Sequence, residues 1–224
     1  MIQYKQEYKL FESQTKKDFT LRYILAKPAD LREGEKLPLI VSLHGAGERG
    51  SDLEILRVMG IPKYLNEGLP IRGVILAPQL ESKDVIWNTV IHELMELVCL
   101  IRDHEEGVDS SYVAVTGMSM GGYATWEIAM SYTGAFQAIA PICGGGTYWR
   151  AWRLADLPIR AYHGDADDTV YVNATLEMVD AVKAAGGNPE CVILHGVGHD
   201  CWHWAYEHTD LLQWLVSHKK QPEA

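Results

Sequence analysis

Short apolar runs and longer amphipathic stretches alternate along the chain. Residues 4–11 and 19–26 alternate polar and apolar positions and are joined by the polar stretch SQTKKD, which predicts an antiparallel hairpin of two strands. Six later runs are short and almost continuously apolar, as expected of strands that are covered on both faces. These runs are 37–43, 71–77, 112–116, 136–142, 159–162 and 191–194.

Helical patterns occupy the intervals between these runs. The clearest covers 90–104, where one apolar stripe extends from Leu94 to Ile101. Strands that alternate with helices predict an α/β fold, with a mostly parallel central sheet, helices on both faces and the hairpin as an antiparallel edge. The longest irregular connection, 144–158, is expected to overhang a site. The other helical patterns cover 53–66, with interruptions at Gly60 and Pro62, and 120–132, 172–185 and 203–216.

The length and charge of the chain narrow the possible classes of protein. With 224 residues, the chain fits a single α/β domain over 1–224. Its formal net charge of -10 repels phosphate backbones and anionic lipid, so neither nucleic acid nor a membrane is an expected partner. The N-terminal segment lacks the apolar core of a secretory signal, and the four cysteines form no C-x-x-C pair. We therefore expect a cytoplasmic protein with reduced cysteines.

One serine is surrounded by glycines where a strand is predicted to run into a helix. The stretch VAVTGMSMGGYATW places Gly117 and Gly121 two positions on either side of Ser119. A sharp turn here would lift the serine above the sheet, and it would bring the flanking residues so close that both must be small. Gly122 would let the helix pack near the strand. The turn would also aim the N–H of Met120 at an oxyanion, with the positive end of the helix dipole behind it.

A serine nucleophile requires an acid and then a histidine, which follow in that chain order in a fold of this kind. The loop GDADDTV follows the apolar run 159–162 and offers three aspartates. Asp165 and Asp168 can cap neighbouring turns, so Asp167 is the favoured acid and Asp168 is the second choice.

The histidine is expected in the loop after the last strand. The sequence VGHDCW follows the run 191–194 and contains His199, and the glycine before it permits a tight loop. His195 and His203 are competing candidates for the base. His199 would take the serine proton, while Asp167 would hold the correct imidazole tautomer and stabilise the imidazolium. Each candidate lies just beyond the carboxyl end of a strand, where catalytic groups collect in open α/β sheets.

A glycine-rich segment after the first central strand is the candidate for the second half of an oxyanion site. In LHGAGERG, residues 43–50, the glycines let backbone N–H groups face a ligand without obstruction by side chains. Ala46 is the predicted donor, with Gly45 or Gly47 as alternatives. No H-x-x-x-H pair lies on one helix beside suitable partners, so neither a metal nor a cofactor is expected.

Two further histidines end predicted strands directly before a glycine. His44 lies in the sequence LHG and His163 in the sequence YHG. At such a position an imidazole can brace a loop through hydrogen bonds. We therefore expect structural roles for both residues.

Five segments, taken in order, resemble the α/β-hydrolase superfamily. They are LHGAGERGSD, APQ, VTGMSMGGYATW, HGDADDTV and GVGHDCW, and they extend over 37–202. The resemblance is strongest to compact phospholipase/carboxylesterase-like esterases, which overlap with dienelactone-hydrolase-like proteins and with predicted peptidases of the prolyl-oligopeptidase type. It implies the α/β-hydrolase fold and a serine hydrolase that acts on carboxylic esters through an acyl-enzyme. The family pattern places the acid on Asp167, the base on His199 and the oxyanion donor on Ala46, beside Met120.

The resemblance also indicates which class of substrate to expect. A chain of this length leaves no room for a large cap domain, so an open, shallow site is expected, with Gly45, Trp87 and Trp149 as candidates to contact substrate. The leading hypothesis is a carboxylesterase for small-molecule esters with short acyl chains, or with aromatic or sugar groups. A peptidase of the prolyl-oligopeptidase type and a non-catalytic binding protein are the alternatives. Many relatives have proline where this chain has Tyr171, a departure that concerns the shape of the acid loop.

Overall fold

The computed structural model describes residues 1–218, and its centre is one eight-stranded sheet. The strands are β1 (Tyr4–Glu12), β2 (Thr20–Pro28), β3 (Leu37–Leu43), β4 (Val74–Gln79), β5 (Val108–Met118), β6 (Ala138–Ile142), β7 (Arg160–Gly164) and β8 (Glu190–Leu194). Their order across the sheet is β1-β2-β4-β3-β5-β6-β7-β8. β2 runs antiparallel to both β1 and β4, and the strands from β4 to β8 pair in parallel. The predicted parallel sheet with an antiparallel hairpin at its edge is confirmed.

Helices cover both faces of the sheet, as predicted. They are α1 (Gly60–Lys63), α2 (Ile91–His104), α3 (Met120–Ser131), α4 (Asn173–Ala184), α5 (Trp202–Glu207) and α6 (Leu211–Leu215). Successive side chains of a strand point to opposite faces, so β3 sends Val41 into the core beneath α2, α3 and α4, and Ile40 into the core beneath α1, α5 and α6. The apolar runs that form β3 and β4 are therefore strands that are buried on both sides, whereas β8, at the edge of the sheet, is half-buried and not covered on both faces as expected.

The helix predicted over 53–66 does not form as one element. The chain instead makes a 3₁₀ helix at Leu53–Val58 and the short α1. Gly60 separates them with a φ of 60°, a left-handed conformation that favours glycine and interrupts a right-handed helix.

The helix predicted over 203–216 is divided into α5 and α6. The Thr209 hydroxyl donates to the carbonyl of Ala205 at 2.6 Å and accepts the N–H of Leu211 at 3.1 Å. These bonds satisfy backbone groups that a continuous helix would have paired, so the chain can turn here. Likewise, the connection 144–158 contains a 3₁₀ helix, Tyr148–Leu154, in place of a wholly irregular loop.

Among residues 1–218, none of the helices combines the length and the apolar character that crossing a membrane requires.

Candidate active site

Ser119 stands in a sharp turn between β5 and α3. Its backbone has φ 54° and ψ -117°, a conformation that is costly for a residue with a side chain and that surrounding structure must enforce. The N–H of Ser119 donates to the carbonyl of Ile142, at the end of β6, at 2.9 Å, and the carbonyl of Ser119 accepts the N–H of Tyr123 at 3.0 Å. The turn is therefore tied both to the neighbouring strand and to the first turn of α3.

The three glycines around Ser119 permit backbone contacts that no larger residue allows. A Cβ atom on Gly117 would lie 2.4 Å from the carbonyl oxygen of Gly121, and one on Gly121 would lie 2.2 Å from that of Leu43. One on Gly122 would lie 2.4 Å from the carbonyl oxygen of Ile142. These distances are shorter than any real Cβ contact, so substitution at each position would displace the turn.

The structure brings Ser119, His199 and Asp167 together from three different loops. His199 Nε2 lies 2.9 Å from Ser119 Oγ, and His199 Nδ1 lies 2.7 Å from Asp167 Oδ2. Nδ1–H donates to the carboxylate, so Nε2 is free to accept the serine proton. The arrangement can activate the hydroxyl as a nucleophile.

Asp167 is buried but well supplied with hydrogen-bond donors. Its Oδ1 accepts the backbone N–H groups of Thr169 and Val170, both at 2.9 Å. Burial raises the pKa of Asp167, but the bonds from His199, Val170 and Thr169 together outweigh burial and hold the pKa below its ordinary value. The carboxylate is thus kept ionised next to His199.

The competing acids and bases have partners outside this cluster. Asp165 Oδ2 pairs with Nδ1 of His195 at 2.7 Å, and the His195 side chain is 87% exposed. His203 Nδ1 lies 3.4 Å from Glu207 Oε1 in the next turn of α5. Asp168 is exposed and accepts only a long bond, 3.4 Å, from the Thr169 hydroxyl. The geometry therefore favours Asp167 and His199 over the alternatives that the sequence left open.

The loop after β3 lies beside the serine. A Cβ atom on Gly45 would be 3.6 Å from Ser119 Cβ, and a 3₁₀ helix, Ala46–Glu48, begins at the next residue. His44 Nδ1–H donates to the Gly45 carbonyl at 2.6 Å. In a trans peptide the C=O and the following N–H point in opposite directions, so fixing this carbonyl also fixes the N–H of Ala46.

His44 is held as a neutral imidazole. Its Nε2 accepts the backbone N–H of Leu80 at 3.0 Å, while Nδ1 carries the proton given to Gly45. Burial lowers the pKa of His44 to about 4. The predicted bracing role of His44 is confirmed by these bonds.

Trp87 supports this loop from behind and does not line an open site. Its side chain is 0% exposed, and Nε1 donates to the carbonyl of His44 at 3.1 Å. The two rings pack edge to face with centroids 4.9 Å apart. This burial corrects the expectation that Trp87 contacts substrate.

By contrast, Trp149 is 68% exposed on the 3₁₀ helix after β6 and packs edge-on against Tyr148.

Glu48 is a buried acid near the serine that sequence reasoning missed. Its Oε2 would lie 3.2 Å from a Cβ atom on Gly45 and is buried without a hydrogen-bond partner among residues 1–218. Burial raises the pKa of Glu48, and the N–H groups of Gly45 and Glu48 offset this in part. The signal in the sequence was a single acidic residue inside a glycine-rich segment.

Cys143 also approaches the cluster, and its chemistry decides against a metal centre. Potential ligand atoms of Cys143, Asp167 and His199 lie within 4.8 Å of one another. Burial raises the pKa of the Cys143 thiol well above its usual range, so the thiol stays protonated and is a poor ligand. Asp167 and His199 are bonded to each other, as a proton relay requires.

Solved structures give clear matches to this fold. A thermostable esterase matches with a TM-score of 0.80 at 26% sequence identity, over 96% of this chain and 63% of the esterase. Pyrococcus horikoshii acylaminoacyl peptidase matches with a TM-score of 0.72 at 16% identity, over 100% of this chain and 43% of the peptidase. The feruloyl esterase module from Clostridium thermocellum, complexed with sinapinate, matches with a TM-score of 0.72 at 15% identity, over 99% and 91% of the two chains.

The matches come from comparison of three-dimensional structures. Comparison with models of known protein families and with curated protein sequences gives no match. The chain spans less than two thirds of the length of the first two structures above, but those structures match nearly the whole of this chain. These structural matches confirm the resemblance that the motifs indicate. The chain therefore has the α/β-hydrolase fold.

Proposed function

We propose that this protein is a serine carboxylesterase that hydrolyses small esters with short acyl chains. The observation that carries the proposal is the continuous hydrogen-bonded series from Ser119 through His199 to Asp167, with bonds of 2.9 and 2.7 Å. Such a series is the apparatus that makes a serine hydroxyl nucleophilic at neutral pH.

The reaction follows from the positions of these groups. Ser119 Oγ attacks the ester carbonyl while His199 Nε2 takes the hydroxyl proton, and Asp167 stabilises the resulting imidazolium. The tetrahedral intermediate collapses, and His199 returns the proton to the leaving alcohol. Water, activated by the same nitrogen, then attacks the acyl-enzyme and releases the carboxylic acid.

Two backbone N–H groups are assigned to the oxyanion. Met120 begins α3 directly after the nucleophile, and Ala46 begins the 3₁₀ helix after β3. The carbonyl of the Gly45–Ala46 peptide is held by His44, which leaves the N–H of Ala46 on the opposite side. Donors fixed before the reaction stabilise the developing charge without reorganisation. Gly45, beside Ser119, would leave the substrate room to approach.

The similarity to solved structures favours esters over peptides. The esterase match has the higher identity, 26% against 16% for the peptidase. Both types of enzyme use an acyl-enzyme, so a single substrate series separates them. Hydrolysis of p-nitrophenyl acetate and butyrate with no cleavage of aminoacyl p-nitroanilides would support the esterase; preferential cleavage of the anilides would assign peptidase activity.

The nucleophile is tested by Ser119→Ala. The variant should lose on the order of 10⁵–10⁶-fold in kcat on p-nitrophenyl butyrate while keeping the circular dichroism spectrum of the parent. Ser131→Ala, at the other end of α3, is the matched control and should retain normal turnover. Near-normal turnover by Ser119→Ala would contradict the mechanism, as would failure of the parent protein to react with a fluorophosphonate probe.

The substrate class is tested with esters that vary in the acyl and alcohol parts. The panel includes acetyl and butyryl esters, methyl ferulate and an acetylated sugar, because one structural match is a feruloyl esterase module. We assign Trp149 a role in contacting the larger esters because its ring is exposed on the connection that follows the carboxyl end of β6. Trp149→Ala should therefore raise KM for bulky esters more than for acetate, and equal changes for both would remove that assignment.

A further inference from the structure

His163 lies behind the acid of the candidate triad. It is the fourth residue of β7, its side chain is 0% exposed, and its Nε2 lies 3.1 Å from Oδ2 of Asp167. The same carboxylate oxygen accepts the bond from His199. Asp167 is therefore held between two imidazole rings, of which only that of His199 reaches the serine.

The Nδ1 atom of His163 faces a hydroxyl group whose proton is donated to another acceptor. Nδ1 lies 2.7 Å from Thr175 Oγ1, and the same Oγ1 lies 2.7 Å from the carbonyl oxygen of Gly144. A carbonyl has no proton to give, so the single hydroxyl proton of Thr175 must lie between Thr175 and Gly144. The proton between His163 and Thr175 then has to come from Nδ1.

The other ring nitrogen faces only acceptors. Nε2 of His163 lies 2.8 Å from the carbonyl oxygen of Val170, in addition to its 3.1 Å approach to the Asp167 carboxylate. Neither of these groups can supply a proton, so Nε2 carries one as well. A neutral ring would leave two acceptor atoms facing each other at 2.7 or 2.8 Å in a buried site, which is unfavourable.

We propose that His163 is a buried imidazolium that acts as a positioning residue for Asp167. The catalytic part of this inference rests on the proposed esterase function. The cation holds the same carboxylate oxygen that His199 contacts, and it partly neutralises the charge with which Asp167 stabilises the imidazolium of His199. The network also ties the triad to the Gly144 carbonyl, where the connection after β6 begins.

Few other titratable groups in the described part of the chain, 1–218, act on Asp167. Apart from His163, they are His199, Tyr123 and Cys143. Burial raises the pKa of both Tyr123 and Cys143, so these two groups are neutral at pH 7. Among these groups, only His199 should therefore respond when the charge of His163 is removed.

The protonation state is measured directly by nitrogen-detected NMR of histidine-labelled protein. The ring signals of His163, assigned by their loss in His163→Gln, should show the imidazolium pattern, with both nitrogens protonated, from pH 6 to pH 8. Thr175→Val removes the acceptor for Nδ1–H and should convert the ring to a neutral tautomer. A neutral pattern in the parent protein at pH 7 would overturn the inference, and this result does not depend on any activity.

The effect on the triad is measured from the pH profile of kcat/KM on p-nitrophenyl butyrate. Without the cation, Asp167 stabilises the His199 imidazolium more strongly, so more alkaline conditions are needed to free the base. The acid limb should move to higher pH by about one unit in both His163→Gln and Thr175→Val. A merely structural role would lower the plateau without moving the limb, and an unmoved limb in both variants would exclude the electrostatic role.

The two measurements separate this inference from the proposed function. Should the parent protein hydrolyse none of the esters, the NMR pattern still decides the charge of His163. His195→Ala serves as the control in both experiments, because His195 pairs with Asp165 at the surface and should change neither the His163 signals nor the acid limb.

Discussion

The same two residues, His-Gly, stand at the carboxyl ends of β3 and β7, and the two histidines differ in protonation state. His44–Gly45 directly follows β3, His163–Gly164 closes β7, and both imidazoles are buried. His44 meets one carbonyl and one N–H, so it is neutral. Nε2 of His163 faces acceptors, and Nδ1 faces a hydroxyl that donates its own proton to the Gly144 carbonyl. Both ring nitrogens must therefore be protonated, as in an imidazolium.

The difference shows that distant partners set the charge of a buried histidine. The N–H that His44 accepts belongs to Leu80, and the hydroxyl that receives the proton of His163 belongs to Thr175. Neither partner is visible in the local sequence His-Gly. The neutral ring orients the Gly45–Ala46 peptide, which we assign to the oxyanion, whereas the cation would adjust the acid of the candidate triad.

The largest effect that tests the β3 loop is expected from Ala46→Pro. Proline lacks the N–H that we assign to the oxyanion, and the first helical position accepts proline because Gly45 before it is extended, with φ -78° and ψ -172°. Loss of one oxyanion donor should lower kcat by about 10²–10³-fold. Steady-state kinetics on p-nitrophenyl butyrate checks this.

Gly47→Ala is the matched control for that variant. A Cβ atom on Gly47 meets nothing within 4 Å, so this substitution should leave kcat and the unfolding temperature close to those of the parent. A loss of activity in Gly47→Ala equal to that in Ala46→Pro would show that the loop is sensitive to any substitution. It would contradict the assignment of Ala46 as an oxyanion donor.

An intermediate effect is expected in the pH dependence of stability. The pKa of His44 falls from an ordinary value of 6.5 to about 4 on folding, so the unfolded chain binds the additional proton between these values. Above pH 6.5 His44 is neutral in both the folded and the unfolded chain and does not affect stability. As the pH drops from 6.5 to 4, the unfolded chain gains a proton that folded His44 does not, so the free energy of unfolding should fall by about 3 kcal/mol.

Urea unfolding at pH 7 and at pH 4.5 measures this change. His44→Asn can still donate to the Gly45 carbonyl but does not titrate, so its stability should depend less on pH over the same interval. His92→Asn, an exposed position on α2, controls for the loss of an ordinary histidine. Identical pH dependence in His44→Asn and the parent would contradict the neutral assignment.

The smallest effect is expected from His195→Ala. This histidine also pairs with an aspartate at 2.7 Å, but its side chain is 87% exposed and solvent screens the pair. Activity and the unfolding temperature should both be unchanged within error. A substantial loss of activity would reopen the choice between His195 and His199 as the base.

Sequence patterns were sufficient to predict the sheet and the turn at Ser119. The apolar run 37–43 became β3 residue for residue, because a strand buried on both faces needs continuous apolar sequence. The run 191–194 became β8, a half-buried strand at the edge of the sheet. The triad candidates follow strand ends in a fixed order, so local motifs located Ser119, Asp167 and His199.

Features that depend on distant contacts could not be predicted in this way. Trp87 looked equally suited to a pocket and to a core, and its buried bond to the His44 carbonyl became visible only in three dimensions. The turn at Thr209 depends on whether a hydroxyl bonds locally or points to solvent. The burial of Glu48 near the serine could be predicted only by knowing that its loop folds against Ser119.

The contact between Gly121 and the carbonyl of Leu43 bears on how the specificity of this protein could be changed. Because a methyl group at 121 would lie 2.2 Å from that oxygen, the serine turn and the end of β3 pack too closely to accept a larger residue at this point. Under the proposed esterase function, directed evolution toward new esters should therefore leave Leu43 and 117–122 untouched. Libraries at Trp149, the exposed position that we assign to contact with larger esters, would explore new substrate shapes while the serine turn stays intact.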